Sequence, residues 1–160
     1  GRYFDGVASL LGLCDIQHEE ATAAMRLEAL AVTRTGRILE GWSIQDGIIS
    51  IDGILASLLT NPDKAQAAAD FHRTLAKALS QAAVDVAEEI GYEGPVALTG
   101  GCAVNRLLVA GISEDLKSDG FNVLIPRDVP AGDGGLALGE LWLAALAYKT
   151  GKTHYAWREN

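Results

Sequence analysis

The chain has 160 residues, enough for one domain with a real core and no staples. Lys and Arg number 13 against 21 Asp and Glu, a formal net charge of −8, which speaks against a nucleic-acid footprint and against docking on an anionic membrane. With 49% hydrophobic and 21% charged residues the chain is globular rather than disordered, and its two cysteines, Cys14 and Cys102, are too few for a disulfide framework. A reducing, cytoplasmic setting follows as the simplest expectation. No leader-like segment and no run of 18 apolar residues is present. The chain opens Gly1-Arg2-Tyr3 without Met and reads as a piece of a longer polypeptide.

In chain order, Tyr3, Phe4, Val7, Leu10 and Leu11 have helical spacing and predict a helix over residues 3–13, interrupted by Gly12. A second helix is expected over 17–32, with Ala21, Ala24, Met25, Leu27 and Ala31 inward and Glu19 and Glu20 in its first turn, where acids suit the dipole. Two strand-like runs, 38–44 and 47–51, flank the hairpin signal Asp46-Gly47. A short helix over 54–59 follows. Asn61-Pro62 predicts the cap and first residue of a long helix. Its stripe runs through Ala68, Phe71, Leu75, Leu79, Ala82, Val86 and Ile90, and Gly91 stands at its C-cap. His72 falls at the rim.

The last third changes pattern. Residues 95–98 and 121–125 are apolar strands, and 103–117 and 136–148 are helices, the second placing Trp142 and Leu143 in the core. Strand–helix–strand–helix at this spacing predicts a βαβ unit with parallel strands. The polar stretch 149–160, with His154, carries no pattern. The expectation is one α/β domain: a lobe over 1–148 and a tail over 149–160.

Two loops carry the chemistry. Thr99-Gly100-Gly101 leaves a strand and opens a helix, so bare backbone and free N–H groups face a ligand. Asn105, expected one turn into that helix, can bond a base or a sugar. The plain alternative is a tight turn. Pro130-Ala131-Gly132-Asp133-Gly134-Gly135 occupies the equivalent place after the next strand. In an open parallel sheet the two loops share one edge, where ligands bind. A carboxylate there tolerates phosphate only across a cation, so Asp133 is a candidate metal ligand; the alternative is a cap on the last helix. Asp5 is either a solvated helix acid or a site carboxylate. His18-Glu19-Glu20 lacks a second histidine for a zinc site, and Cys102 is a tight-turn residue before it is a nucleophile.

Four segments in register resemble the HypF family, the hydrogenase-maturation carbamoyltransferases: GRYFDGVASLLGL (1–13), EATAAMRLE (20–28), ALTGGCAVNRLL (97–108) and the stretch 129–139 around GDGG. The pattern is similar, more distantly, to TsaD-type tRNA-modifying proteins and antibiotic O-carbamoyltransferases. The resemblance implies one lobe of an ASKHA (actin-like ATPase, RNase H-like) fold with nucleotide and metal in the cleft between two lobes. It implies that Gly1 and Asp5 hold the ribose, Gly100 and Gly101 lie beneath the nucleotide, Asn105 contacts the nucleoside, and Asp133 ligates a divalent metal (Fe, Mg or Zn). It implies ATP and carbamoyl phosphate as substrates, a carbamoyl-adenylate intermediate, and the C-terminal cysteine of HypE as acceptor. The alternative is a nucleotide-binding lobe that is not catalytic alone. Cys102-Ala103-Val104 departs from the family's Val-Phe-Gln, and Thr99 from its Ser. A lobe separated from its partner exposes an apolar flank, so self-association is expected.

Overall fold

The computed structural model describes residues 1–151. Its elements are α1 (Arg2–Leu10), α2 (Thr22–Ala31), the hairpin strands β1 (Ser43–Gln45) and β2 (Ile48–Ser50), α3 (Leu55–Thr60), α4 (Lys64–Ile90), β3 (Val96–Ala97), α5 (Arg106–Ser118), β4 (Val123–Leu124) and α6 (Leu136–Thr150). Single 3-10 turns at Asp52–Ile54, Gly101–Val104 and Asp133–Gly135 lead toward α3, α5 and α6.

Helix α4 organises the body. Ala67, Ala68, Ala69, Ala76 and Ala78 are buried along it, and such small side chains let α2 and α5 approach its axis closely. Gly111 marks the crossing with α5, because a Cβ there would lie 2.8 Å from the Cβ of Ala76. Arg73 then clamps Asp115 of α5 with two bonds of 2.7 Å. Phe71 stands edge-on to Phe4 of α1, ring centres 5.4 Å apart. β3 and β4 pair in parallel, Val96 with Val123 and Ala97 with Leu124, with α5 as the crossover the sequence predicts.

Several expectations are corrected. α1 stops at Leu10, before Gly12 takes a left-handed φ of 69°. α2 starts at Thr22, not near Gln17: Ala21 is left-handed and the Gln17 side chain accepts from Ala23 N–H at 3.0 Å. Glu19 and Glu20 therefore precede the helix, and Met25 faces outward. The cap of α4 is Asp63, which accepts from Ala65 and Gln66 N–H at 3.0 and 3.1 Å; Asn61 instead accepts from Asp63 N–H. The run 38–44 is no long strand, because the N–H groups of Arg37 and Leu39 bond the side chains of Asp70 and Thr74 on α4. The hairpin holds, with Asp46 and Gly47 at φ of 50° and 73°, the signature of a type I′ turn. The stretch 149–160, His154 included, lies mostly outside the described residues.

The largest correction concerns α6. Trp142 is 70% exposed and Leu143 is exposed as well, so neither is core. Leu136, Leu138, Leu141 and Leu146 are uncovered with them, and the helix packs chiefly on the turn that precedes it. A helix that is apolar all round belongs in an interior. In size-exclusion chromatography the chain is expected to elute larger than its mass, and Leu141→Glu with Trp142→Glu to return it to monomer size. A wild-type chain eluting as a compact monomer contradicts this. Among the described residues no helix is long and apolar enough to cross a membrane.

Candidate functional site

The C-terminal ends of β3 and β4 deliver the two glycine loops to one edge, and the loops touch. Gly100 sits at φ 95°, a conformation glycine alone adopts freely, and its N–H donates to Ala131 O at 2.7 Å. The Cα of Gly101 lies 3.7 Å from where a Cβ on Gly132 would stand. Gly135 closes the second loop, since a Cβ there would fall 2.3 Å from Pro130 O. α1 joins the same rim: the backbone nitrogen of Gly1 donates to Cys102 Sγ at 3.1 Å.

Two hollows flank the Gly100-Gly101 turn. One, of about 410 Å³, is lined by Gly1, Phe4, Asp5, Glu28, Gly101 and Asn105. The other, of about 510 Å³, is lined by Gly100, Ala131, Gly132 and Asp133. The six residues singled out in the sequence thus divide between two neighbouring hollows that share one glycine turn. A further hollow of about 430 Å³, with Glu88, Gly91, Tyr92 and Phe121, lies at the opposite, N-terminal ends of the strands and holds none of them.

Asn105 is not one turn into α5; it caps it. The 3-10 turn over Gly101–Val104 delays the helix, and Asn105 Oδ1 accepts from Leu108 N–H at 2.9 Å. His72 is not at the rim but 2% exposed. Its position with Ala68, Phe71 and Leu75 on one helical stripe was the signal that could have placed it inside. Burial pushes the imidazole below its ordinary range, against the opposing pull of the Ala68 carbonyl and the charge of Glu28. Glu28, quoted in the sequence only as part of a motif, accepts from Arg106 N–H at 2.7 Å and ties α2 to the start of α5.

Asp133 lies exposed on its turn and makes no cap bond to α6. Among the described residues no three His, Cys, Asp or Glu side chains gather closely enough to hold a metal ion. One carboxylate does not make a divalent site, which needs several oxygen ligands. Both cysteines are free.

Parallel strands that end in touching glycine loops define an α/β lobe with its ligand edge at the strands' C-terminal ends, which fits the ASKHA lobe that the resemblance implies. A family model described as "Carbamoyltransferase, Kae1-like Domain, second subdomain" matches residues 1–140. The chain belongs to the HypF carbamoyltransferase family. It is 40% identical over 157 residues to the carbamoyltransferase HypF homolog of Cupriavidus necator, covering 91% of this chain and 40% of the relative. Against carbamoyltransferase HypF of Rhizobium leguminosarum bv. viciae the identity is 41% over 143 residues, covering 88% of this chain and 18% of that one. Among solved structures, HypF of T. kodakarensis superposes with a TM-score of 0.80 at 28% identity, covering 93% of this chain and 20% of that one. A full-length HypF in a phosphate- and nucleotide-bound form gives 0.79 at 31% identity, covering 94% and 20%. The chain thus spans between about a fifth and two fifths of these relatives' length.

Proposed function

We propose that this chain supplies the nucleotide-facing rim of a HypF-type carbamoyltransferase. The reaction takes ATP and carbamoyl phosphate through a carbamoyl-adenylate and delivers the carbamoyl group to the C-terminal cysteine thiol of HypE. The observation that carries this is the bond from Gly100 N–H to Ala131 O, which joins the two loops between the hollow of Asp5 and the hollow of Asp133. The relatives' names supply the transferase class, and one of them binds phosphate and nucleotide.

In this reading Asp5 accepts the two ribose hydroxyls, and Gly1 leaves room for the sugar. The bare backbone at Gly100 and Gly101 lets the adenylate lie close, with N–H groups toward its phosphate. The adenylate is a good leaving group, so the protein's part is to position the mixed anhydride and keep water from it. No side chain here is assigned as a general base. Asp133 would offer one oxygen to a divalent metal beside the phosphates.

Calorimetric titration of the chain with ATP tests the reading. ATP binding is expected, weakened about tenfold by Asp5→Ala, the scale of one charged hydrogen-bond partner. A folded chain indifferent to millimolar ATP contradicts the proposal. Nucleotide binding without carbamoyl transfer to a HypE-type thiol in the full-length protein favours a non-catalytic lobe.

A further inference from the structure

Both ring nitrogens of His72 are engaged inside the molecule. Nδ1 lies 2.7 Å from Ala68 O, an atom that only accepts, so Nδ1 carries the proton and donates. Nε2 is left as an acceptor, and Asn105 Nδ2 donates to it at 3.0 Å. The Asn105 carboxamide is thereby held at both ends, with Oδ1 taking the N–H of Leu108 at 2.9 Å. Turning it over would set Nδ2 against that N–H, donor on donor, and Oδ1 against Nε2, acceptor on acceptor. The ring packs edge-on against both Phe4 and Phe71, centres 5.3 and 5.7 Å away, in a triangle of three mutually touching rings, and Phe4 lines the same hollow as Asp5 and Asn105. From Asn105 the connection reaches the glycine turn directly, because Asn105 N–H donates to Cys102 O at 3.1 Å.

We propose that His72 is a positioning residue for the nucleotide rim: through Nε2 it fixes the orientation of the Asn105 carboxamide and so holds the Gly101–Val104 turn in its binding form. This rests on the reading of the 410 Å³ hollow as the nucleotide site. With one Nδ2 hydrogen committed to His72, the other hydrogen and the second lone pair of Oδ1 keep fixed directions in the wall that Asn105 contributes. α4 thus sets the polarity of the site from behind, without touching the ligand.

The test compares His72→Gln, which offers an oxygen acceptor where Nε2 stands, with His72→Leu, which fills the space and offers none. Three readouts are taken: melting temperature, the side-chain amide signal of Asn105 in ¹H–¹⁵N spectra, and the ATP dissociation constant. Wild type is expected to show an unprotonated Nε2 and an Asn105 amide protected from exchange. His72→Gln keeps that protection and binds ATP within about threefold of wild type. His72→Leu loses it and binds about tenfold more weakly, the loss of one oriented hydrogen bond. Equal weakening by both variants, or a protonated Nε2 in wild type, overturns the proposal. The wild-type spectrum decides even if His72→Leu does not fold. Absence of ATP binding by wild type overturns the nucleotide reading, while the protection of the Asn105 amide still judges the His72–Asn105 link.

Discussion

Asp70→Ala is expected to lower the stability of the chain by about 2–4 kcal/mol, the range for stripping several partners of a buried carboxylate. Asp70 is 1% exposed on α4 and organises the connection that descends from α2. Its Oδ1 takes the backbone N–H of Arg37 at 2.8 Å and the Gln66 amide at 2.7 Å, and its Oδ2 takes the Arg37 guanidinium at 2.7 Å. The Arg37 head is largely in solvent, so the ion pair itself is screened. The cost lies in an orphaned backbone N–H and in loosening Arg37 from α4, while the segment stays tied through Leu39 to Thr74 and through Thr35 to Gln66. Burial pushes the carboxyl up, but the bonds from Arg37 and Gln66 and the Arg37 charge outweigh it and hold it below the usual range. A depressed carboxyl contributes stability that is present above the ordinary value near 4 and is lost as pH falls through and below it. Urea midpoints should therefore differ clearly between wild type and Asp70→Ala at pH 7, and the gap should narrow as pH falls below the ordinary carboxylate range. Equal midpoints at pH 7 contradict this account.

Gly135→Ala is expected to reduce ATP affinity at least about tenfold while lowering the melting temperature by only a few degrees. The new Cβ would lie 2.3 Å from Pro130 O and 3.2 Å from Val129 Cγ1, so the loop must open. Opening shifts Ala131, whose carbonyl holds Gly100. The damage crosses from the Asp133 loop to the Gly100 turn by one hydrogen bond. Stability changes little because this loop and α6 bury little surface. Gly134→Ala is the control, since its Cβ would meet only the Pro130 ring at 3.4 Å. Calorimetry and thermal melts of both variants check the pair, and wild-type affinity in Gly135→Ala contradicts the coupling of the loops.

What could be read in advance follows from range. The α4 stripe through Phe71 and Leu75 was legible because a 3.6-residue period is local, yet Val86 and Ile90 at its end stay exposed for want of a facing element. The glycine loops were legible because glycines cluster at the ends of two strands, and at Gly100 the left-handed backbone itself favours glycine. The run 38–44 misled because apolar residues at strand spacing also suit a segment pinned by helix side chains. His72 and Asn105 were misplaced because their partners lie 33 residues apart and a 3-10 turn displaced the helix start. Trp142 and Leu143 misled most simply, because apolar sequence gives a tendency to be buried and burial requires an opposing surface.

The central claim is most directly tested by following backbone amides in ¹H–¹⁵N spectra as ATP is added. The account predicts that Asp5, Gly100, Gly101 and Gly132 shift together along one binding curve, while Gly91 and Gly120 at the far ends of the strands stay still. Movement of one loop without the other, or shifts gathered around Gly91 and Gly120, would contradict it.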